Sequence, residues 1–419
     1  MKILYISEYY PPYIKGGAEI STSLLVQNIQ KFNKCFVLTS KLQNKNWKEK
    51  RVPVFPQLHI ISITSASFFS YIKYFIMILI GPIFNLWITI RIIKELKVDI
   101  VHIVPTSYLL LPLIIVPFLL RKRIVVDIRD YSAICPTGAV TLGCAEQQYR
   151  NHGFHCFKGS YAIPKLYRFI APLFMFYEYS LFLLYRGIFR LIYNLSSSIK
   201  IVTLSHFMNG QMIDAGFISK RMSVIYNIAN DIKVKTYNKK LQIIFAGRLE
   251  QAKGVWDVIL AYKKLKISNL KLIIIGSGKE SNELNKYIRN EKVKGVILKG
   301  RVSQKKLLPM IASSLLIIAP SRWPEPFGRF IFDAMITKTP IIATKIGGIV
   351  EAVKDGSTGI LVPPAQPDKL ANAIKKLLNN KSLYHKMQNQ LVIDKKNYLK
   401  ETIIPQRLTL YDELMNPSI

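Results

Sequence analysis

The chain has 419 residues, half of them hydrophobic, and carries 59 Lys and Arg against 25 Asp and Glu, a formal net charge of +34. This length exceeds one compact core and predicts two domains. The charge favours nucleic acid, anionic lipid or phosphorylated substrates as partners. No zinc-finger spacing or aromatic-interleaved basic motif is present, which argues against a sequence-reading nucleic-acid site.

The run Met1–Ser7 is too short for a signal peptide, and Glu8 and the Tyr-Tyr-Pro-Pro stretch follow at once, so it reads as a first β-strand. Short β-branched runs then alternate with helical patterns, as parallel βαβ units do. In the first half the predicted strands are Lys2–Ser7, Lys34–Thr39, Leu58–Ile63, Asp99–Val104, Arg123–Ile128 and Ile199–Leu204. In the second they are Leu241–Ala246, Lys271–Ile275, Val296–Lys299, Leu315–Ala319, Pro340–Thr344 and Gly359–Val362. Two doubly wound sheets are expected, over residues 1–232 and 240–398, joined by the polar stretch Asn230–Lys240 and facing one cleft, since ligands of such sheets bind beyond the carboxyl ends of the strands.

Three first-half segments are unusually apolar. A transmembrane helix needs about 20 apolar residues. Phe68–Ile93 is interrupted by Gly81-Pro82 and Tyr108–Leu120 is too short, so both are read as core helices. Leu166–Leu195 mixes aromatics with Arg168, Arg186 and Arg190, the composition of an interfacial helix whose arginines meet lipid phosphates. The expectation is a cytoplasmic protein peripheral to the inner face of the membrane, with an anionic membrane surface as partner. The four cysteines, Cys35, Cys135, Cys144 and Cys156, are expected as reduced thiols. Cys144, His152, His155 and Cys156 fit no common zinc spacing.

Chemistry concentrates at predicted strand ends. Gly16 and Gly17 follow the first strand and lead into a helical pattern, a turn that leaves helix N–H groups open to phosphate. The loop Gly247–Gly254 holds Arg248 and Lys253, a planar fork and a mobile point charge for phosphate oxygens. Gly276 and Gly278 mark a third glycine-rich strand end, Gly347 and Gly348 a fourth. Between them, Pro324–Asp333 places the carboxylates Glu325 and Asp333 eight positions apart around Phe327-Gly328. If this were one helix they would share a face, with the Phe327 and Gly328 amides at its mouth.

Taken in order, Phe245–Gly254, Ile275–Gly278, Ala319–Gly328, Gly347–Glu351 and Asp355–Pro363, with Gly16-Gly17, Thr203–Ser205 and Val224–Asn227 upstream, resemble the family 4 glycosyltransferases, retaining enzymes of the GT-B fold. The resemblance implies two facing Rossmann-like domains, with a C-terminal helix (residues 400–419, looking like Ile403–Met415) crossing back to the first. It implies Arg248 and Lys253 on the donor diphosphate and Glu325 on the donor sugar. Phe327 and Gly328 would lie near sugar and phosphate, Asp333 on the ribose, and Gly16, Gly17 and Gly278 beside the donor. It implies a UDP-, GDP- or ADP-linked sugar donor, no metal and no other cofactor, and front-face transfer in which the leaving diphosphate takes the acceptor's proton.

Two positions depart from the family pattern. Its second acid is usually Glu, where this chain has Asp333. Its His-Asp pair is here Arg129-Asp130, an acceptor-side site whose Arg suits a phosphate-bearing ligand and cannot act as a base. Membrane-associated lipid or lipid-linked glycan is the expected acceptor. A GT-B nucleotide-sugar epimerase or phosphorylase, or a non-catalytic basic binder of membrane or nucleic acid, are the competing readings.

Overall fold

The computed structural model of the chain describes residues 1–12, 14, 16–40, 54–55, 68–105, 107–135, 171–229, 232, 234–235 and 237–416. The chain divides into two units, Met1–Ile228 with Ile403–Ile419, and Ala229–Thr402.

In the first unit a parallel sheet runs in the order β3-β2-β1-β4-β5-β6-β7. Its strands are β1 (Lys2–Ser7), β2 (Lys34–Leu38), β3 (Val54–Phe55), β4 (Ile100–Val104), β5 (Arg123–Ile128), β6 (Ile199–Thr203) and β7 (Met222–Val224). Helices cover such a sheet on both faces, which is why β1, β4 and β5 are mostly apolar, with His102 and Asp127 as buried exceptions, and are buried along nearly their whole length. The expected strand Leu58–Ile63 lies outside the described residues. The edge strand β7 was not anticipated: three partly buried residues offer too little periodicity to read.

The second unit's sheet has the order β10-β9-β8-β11-β12-β13. It comprises β8 (Gln242–Ala246), β9 (Lys271–Ile275), β10 (Val296–Leu298), β11 (Leu316–Ala319), β12 (Ile341–Thr344) and β13 (Gly359–Val362). Its core joins Ile243, Ile274 and Ile318 to Val258 and Ile259 of the helix Val255–Leu265 and to Ile374 of the helix Pro367–Asn379. In each sheet the strand order reverses beside the first strand of that unit, between β1 and β4 and between β8 and β11. Such a switch point splays the following loops apart at the carboxyl ends and leaves a place for ligand.

The C-terminal helix Lys400–Met415 begins in the second unit, while Ile403, Leu410, Tyr411 and Leu414 lie in the apolar core of the first, against Tyr5, Val125 and Val202. A buried polar chain fixes its register. Asp127 of β5 is fully buried, and its Oδ2 meets Arg129 Nη2 at 2.9 Å, Arg407 Nη1 at 3.1 Å and His102 Nε2 at 3.4 Å. His102 Nδ1 is 2.7 Å from the Tyr411 hydroxyl, itself 3.0 Å from that of Tyr5. Burial pushes His102 down to about 4, so it is neutral at pH 7. Burial also opposes ionisation of Asp127, but the two guanidinium groups overcome it and hold that carboxyl far below its usual range.

The apolar segments resolve into three helical pieces. The helix Phe68–Leu96 buries Ile88, Ile92 and Ile93 but exposes Ile83, Phe84 and Trp87. Tyr108–Ile114 is a 3-10 turn with Leu110, Leu113 and Ile114 buried, and the short helix Ile115–Leu119 ends on exposed Phe118 and Leu119. The expectation of core helices thus holds for one face of each. The helix Ala171–Leu195 is the third. No helix of the described residues is long and apolar enough to cross a membrane.

Removing the Asp127 carboxylate strands two buried guanidinium groups, a change that typically costs about 3–5 kcal/mol. Asp127→Ala is expected to lower the unfolding free energy by that order, read as a lower urea midpoint. A midpoint equal to the wild type would show that the network does not hold the C-terminal helix.

Candidate functional site

The switch point of the second sheet brings together the loops that follow β8, β11 and β12. The loop after β8 reaches the left-handed Gly254, φ +70°, where a Cβ would stand 1.8 Å from Pro320 O. Only a hydrogen fits, so the backbones of the β8 and β11 loops touch. They are laced further by the Arg322 and Trp323 amides, which donate to Ala252 O at 2.9 and 3.2 Å. The Arg322 guanidinium also grips Asp257 of the helix Val255–Leu265 with two bonds, 2.7 and 2.5 Å. A bidentate pair on a buried carboxylate fixes direction as well as distance.

This lacing seats Glu325, 7% exposed, beside Lys253. Glu325 Oε1 accepts from Lys253 Nζ at 2.5 Å and from Ser321 Oγ at 2.8 Å, and the ammonium lies 4.6 Å over the Trp323 ring. Burial works against ionisation. The Lys253 charge, with hydrogen bonds from Lys253 and Ser321, outweighs it and holds the carboxyl below its usual range. From the other side, Gly347, φ +58°, lies against the same residue: a Cβ there would approach Glu325 O to 2.6 Å and N to 2.8 Å. The Gly348 amide donates to Glu325 O at 2.8 Å. The fourth glycine-rich strand end is therefore the backstop of Glu325.

The other expected residues of this unit take differing positions. Arg248 follows β8 and its Nη1 pairs with Glu250 at 3.0 Å, its side chain half exposed. The Gly278 amide donates to Ser281 Oγ at 3.0 Å, and the residue abuts the Leu249 backbone. Phe327 is an anchor, stacked on Phe332 at 5.2 Å and edge-on to Tyr398 at 5.5 Å. Asp333 lies in the first turn of the helix Phe330–Thr337. The expectation that Glu325 and Asp333 share a helical face is corrected. Pro324, Pro326 and Gly328 delay the helix to Phe330, and Glu325 belongs to the loop before it. Ser321, as a partner of Glu325, and Trp323, as the ring beside the Lys253 ammonium, were missed, although both stand inside the motif.

In the first unit, Gly16 precedes the helix Gly17–Ile29, and its amide donates to Glu19 Oε2 at 2.9 Å. The chain's own carboxylate occupies that donor, which was expected to be open to phosphate. Arg129 follows β5, 6% exposed, with Nη2 on Asp127 and Nη1 donating to Ala18 O at 3.4 Å. Asp130 accepts from the Ser132 amide at 2.9 Å. Burial pushes its carboxyl up to about 7, against hydrogen bonds from Ser132, and the like charges of Glu8 and Glu19 add to the rise. The strand ends of this unit thus combine one guanidinium with three carboxylates.

Arg186 and Arg190, expected to meet lipid phosphates, reach Ala215 O at 3.3 and 3.5 Å, at the C-terminus of the helix His206–Asp214. Carbonyls left without intrahelical partners attract cations there. Cys35 and Cys135 are buried. Cys144, His152, His155, Cys156 and Arg168 lie outside the described residues.

Residues 228–391 match the family described as glycosyl transferases group 1. An uncharacterised glycosyltransferase of Methanocaldococcus jannaschii is 28% identical over 232 residues, covering 53% of this chain and 58% of that protein. The chain thus spans little more than half the length of such curated relatives. Among solved structures, Anabaena HepE in complex with UDP and glucose aligns with a TM-score of 0.69 at 18% identity, covering 98% of this chain and 99% of that one. WaaG, a glycosyltransferase involved in lipopolysaccharide biosynthesis, aligns with a TM-score of 0.63 at 14% identity, over 99% and 100%. The fold of the chain is GT-B.

Gly347→Ala forces a side chain into the left-handed region, at roughly 1–2 kcal/mol, and also into the Glu325 backbone. Gly356, φ +70°, has nothing within 4 Å of its missing Cβ and isolates the first cost. Gly347→Ala is expected to lower the urea midpoint more than Gly356→Ala does. Equal losses would show that Gly347 does not support Glu325.

Proposed function

We propose that the chain is a retaining, family 4 glycosyltransferase that moves a sugar from a nucleotide-sugar donor to a membrane-associated lipid or lipid-linked glycan. The observation that carries the reading is the buried Lys253–Glu325 pair at the sheet's switch point, inside the segment that matches the family. Glu325 is an ionised acceptor that suits sugar hydroxyls. Lys253 and Arg248 stabilise the charge that grows on the leaving diphosphate, so the reading assigns this work to side chains and asks for no metal. Phe327 and Gly328 shape the loop beside sugar and phosphate, and Asp333 takes the ribose. Arg129 and Asp130 serve the acceptor. The UDP in HepE supports a nucleotide-linked donor, and the role of WaaG in lipopolysaccharide biosynthesis supports a lipid-linked acceptor.

A nucleoside diphosphate among UDP, GDP and ADP is expected to raise the melting temperature. Glu325→Gln should keep the fold by circular dichroism yet slow transfer about 10²–10³-fold, the effect of losing one preorganised electrostatic contact. Wild-type transfer rates in that variant would refute the role of Glu325.

The membrane part of the proposal rests on one helix face. Phe176, Leu184, Leu191 and Leu195 are all more than half exposed and recur at helical spacing along Ala171–Leu195, an apolar stripe turned away from the core. Ile83, Trp87 and Leu119 extend the exposed apolar surface on the neighbouring helices, and Arg121 and Lys122 follow after Leu120. Apolar contact with adjacent cations suits the inner face of an anionic membrane. The chain is expected to sediment with phosphatidylglycerol vesicles, and Leu184→Glu with Leu191→Glu to release it. Unchanged sedimentation would sink the membrane proposal while leaving the donor site intact.

A further inference from the structure

Asp333 stands where the family pattern has the longer Glu, and one neighbour from far along the chain is bonded to it. Its Oδ1 accepts from Gln304 Nε2 at 2.7 Å. Gln304 is the first residue of the helix Gln304–Ala312, which enters after the carboxyl end of β10 and packs on the helix Phe330–Thr337. It is half-buried, and among the described residues its side chain makes no second hydrogen bond. Asp333 is 7% exposed.

The chemistry of the pair follows from its atoms. A ribose offers two neighbouring hydroxyl donors, and a free Glu carboxylate answers both with its two oxygens. Asp333 is one methylene shorter and has already committed one oxygen to Gln304. A carboxamide whose NH₂ is engaged still carries an acceptor carbonyl. Gln304 Oε1 and Asp333 Oδ2 therefore make two acceptors on two helices, held at a fixed separation by the bond between their partner atoms.

We propose that Gln304 is a specificity-determining residue of the donor site: its amide nitrogen positions Asp333, and its carbonyl oxygen joins Asp333 as the second acceptor for the vicinal ribose diol. This rests on the reading of Asp333 as the ribose-binding acid.

The test is isothermal titration of the full chain with whichever of UDP, GDP and ADP raises the melting temperature most, and with its 2′-deoxy counterpart. Wild type, Gln304→Ala and Asp333→Ala are compared. Asp333→Ala is expected to weaken the ribonucleotide about tenfold or more, the scale of one lost charged hydrogen bond. Gln304→Ala is expected to reduce the preference for ribose over deoxyribose about fivefold, because one of two hydroxyl acceptors is gone.

A pH series adds a readout that a packing role would not move. Burial pushes the Asp333 carboxyl up, while Arg329 and the Gln304 amide pull it down. Without the amide it rises further, so as pH falls the carboxylate is neutralised earlier. The acid limb of the affinity profile is then expected to move to higher pH in Gln304→Ala. Equal weakening of both nucleotides with an unmoved acid limb would overturn the role of Gln304 and leave the ribose reading standing. Unchanged ribonucleotide affinity in Asp333→Ala, or no binding of any of the three diphosphates by wild type, would overturn that reading and this inference with it.

Discussion

A buried carboxylate answered by one ammonium governs the strand ends of the second unit. Glu325 is costly to ionise out of water unless a cation and hydrogen bonds are supplied in place. Lys253 and Ser321 supply them from the β8 and β11 loops, and Gly347 and Gly348 close the third side. Each partner needs its own loop held at near-contact distance, which explains the glycines at these turns: Gly254 and Gly347 make room for backbone. The Asp257–Arg322 pair then keeps the β11 loop from turning away. A site built in this way is organised before any ligand arrives, which is what electrostatic stabilisation of a leaving group requires.

The first unit solves a similar problem with the opposite excess. One carboxylate, Asp127, faces two guanidinium groups and a neutral histidine in a fully buried setting. The arrangement ties the last helix of the chain, through Arg407, to the strand that ends in Arg129 and Asp130. Folding of the C-terminus and placement of Arg129 thus share one acid. The same strand ends gather Glu8, Glu19 and Asp130, so the surroundings of Gly16 are more acidic than a phosphate-binding turn would lead one to expect.

Much of the fold was legible because parallel strands buried on both faces leave dense β-branched runs. Seven strands, β1, β2, β5, β6, β9, β10 and β13, begin at the residues expected. β7 was not legible, being short and only half-buried. The site was legible as a set of strand-end motifs, yet its internal geometry was not. Glu325 and Asp333 looked like neighbours on one helix because their spacing suits two turns. Two prolines and a glycine place the first in a loop. Arg186 and Arg190 looked like lipid contacts from composition, and their nearness to the carbonyl of Ala215, 29 and 25 positions on, was not legible.

The sequence alone determined the two-sheet architecture and the strand-end loops that carry Arg248, Lys253 and Glu325, because periodicity and motif are read along the chain. Only the tertiary structure decided who answers whom. It joined Lys253 to Glu325, Asp127 to Arg407 and Gln304 to Asp333, partners 72, 280 and 29 positions apart. The reason is physical: a buried charge must be met by whatever group the packing brings within about 3 Å, and that group is chosen by the fold, not by its distance along the chain.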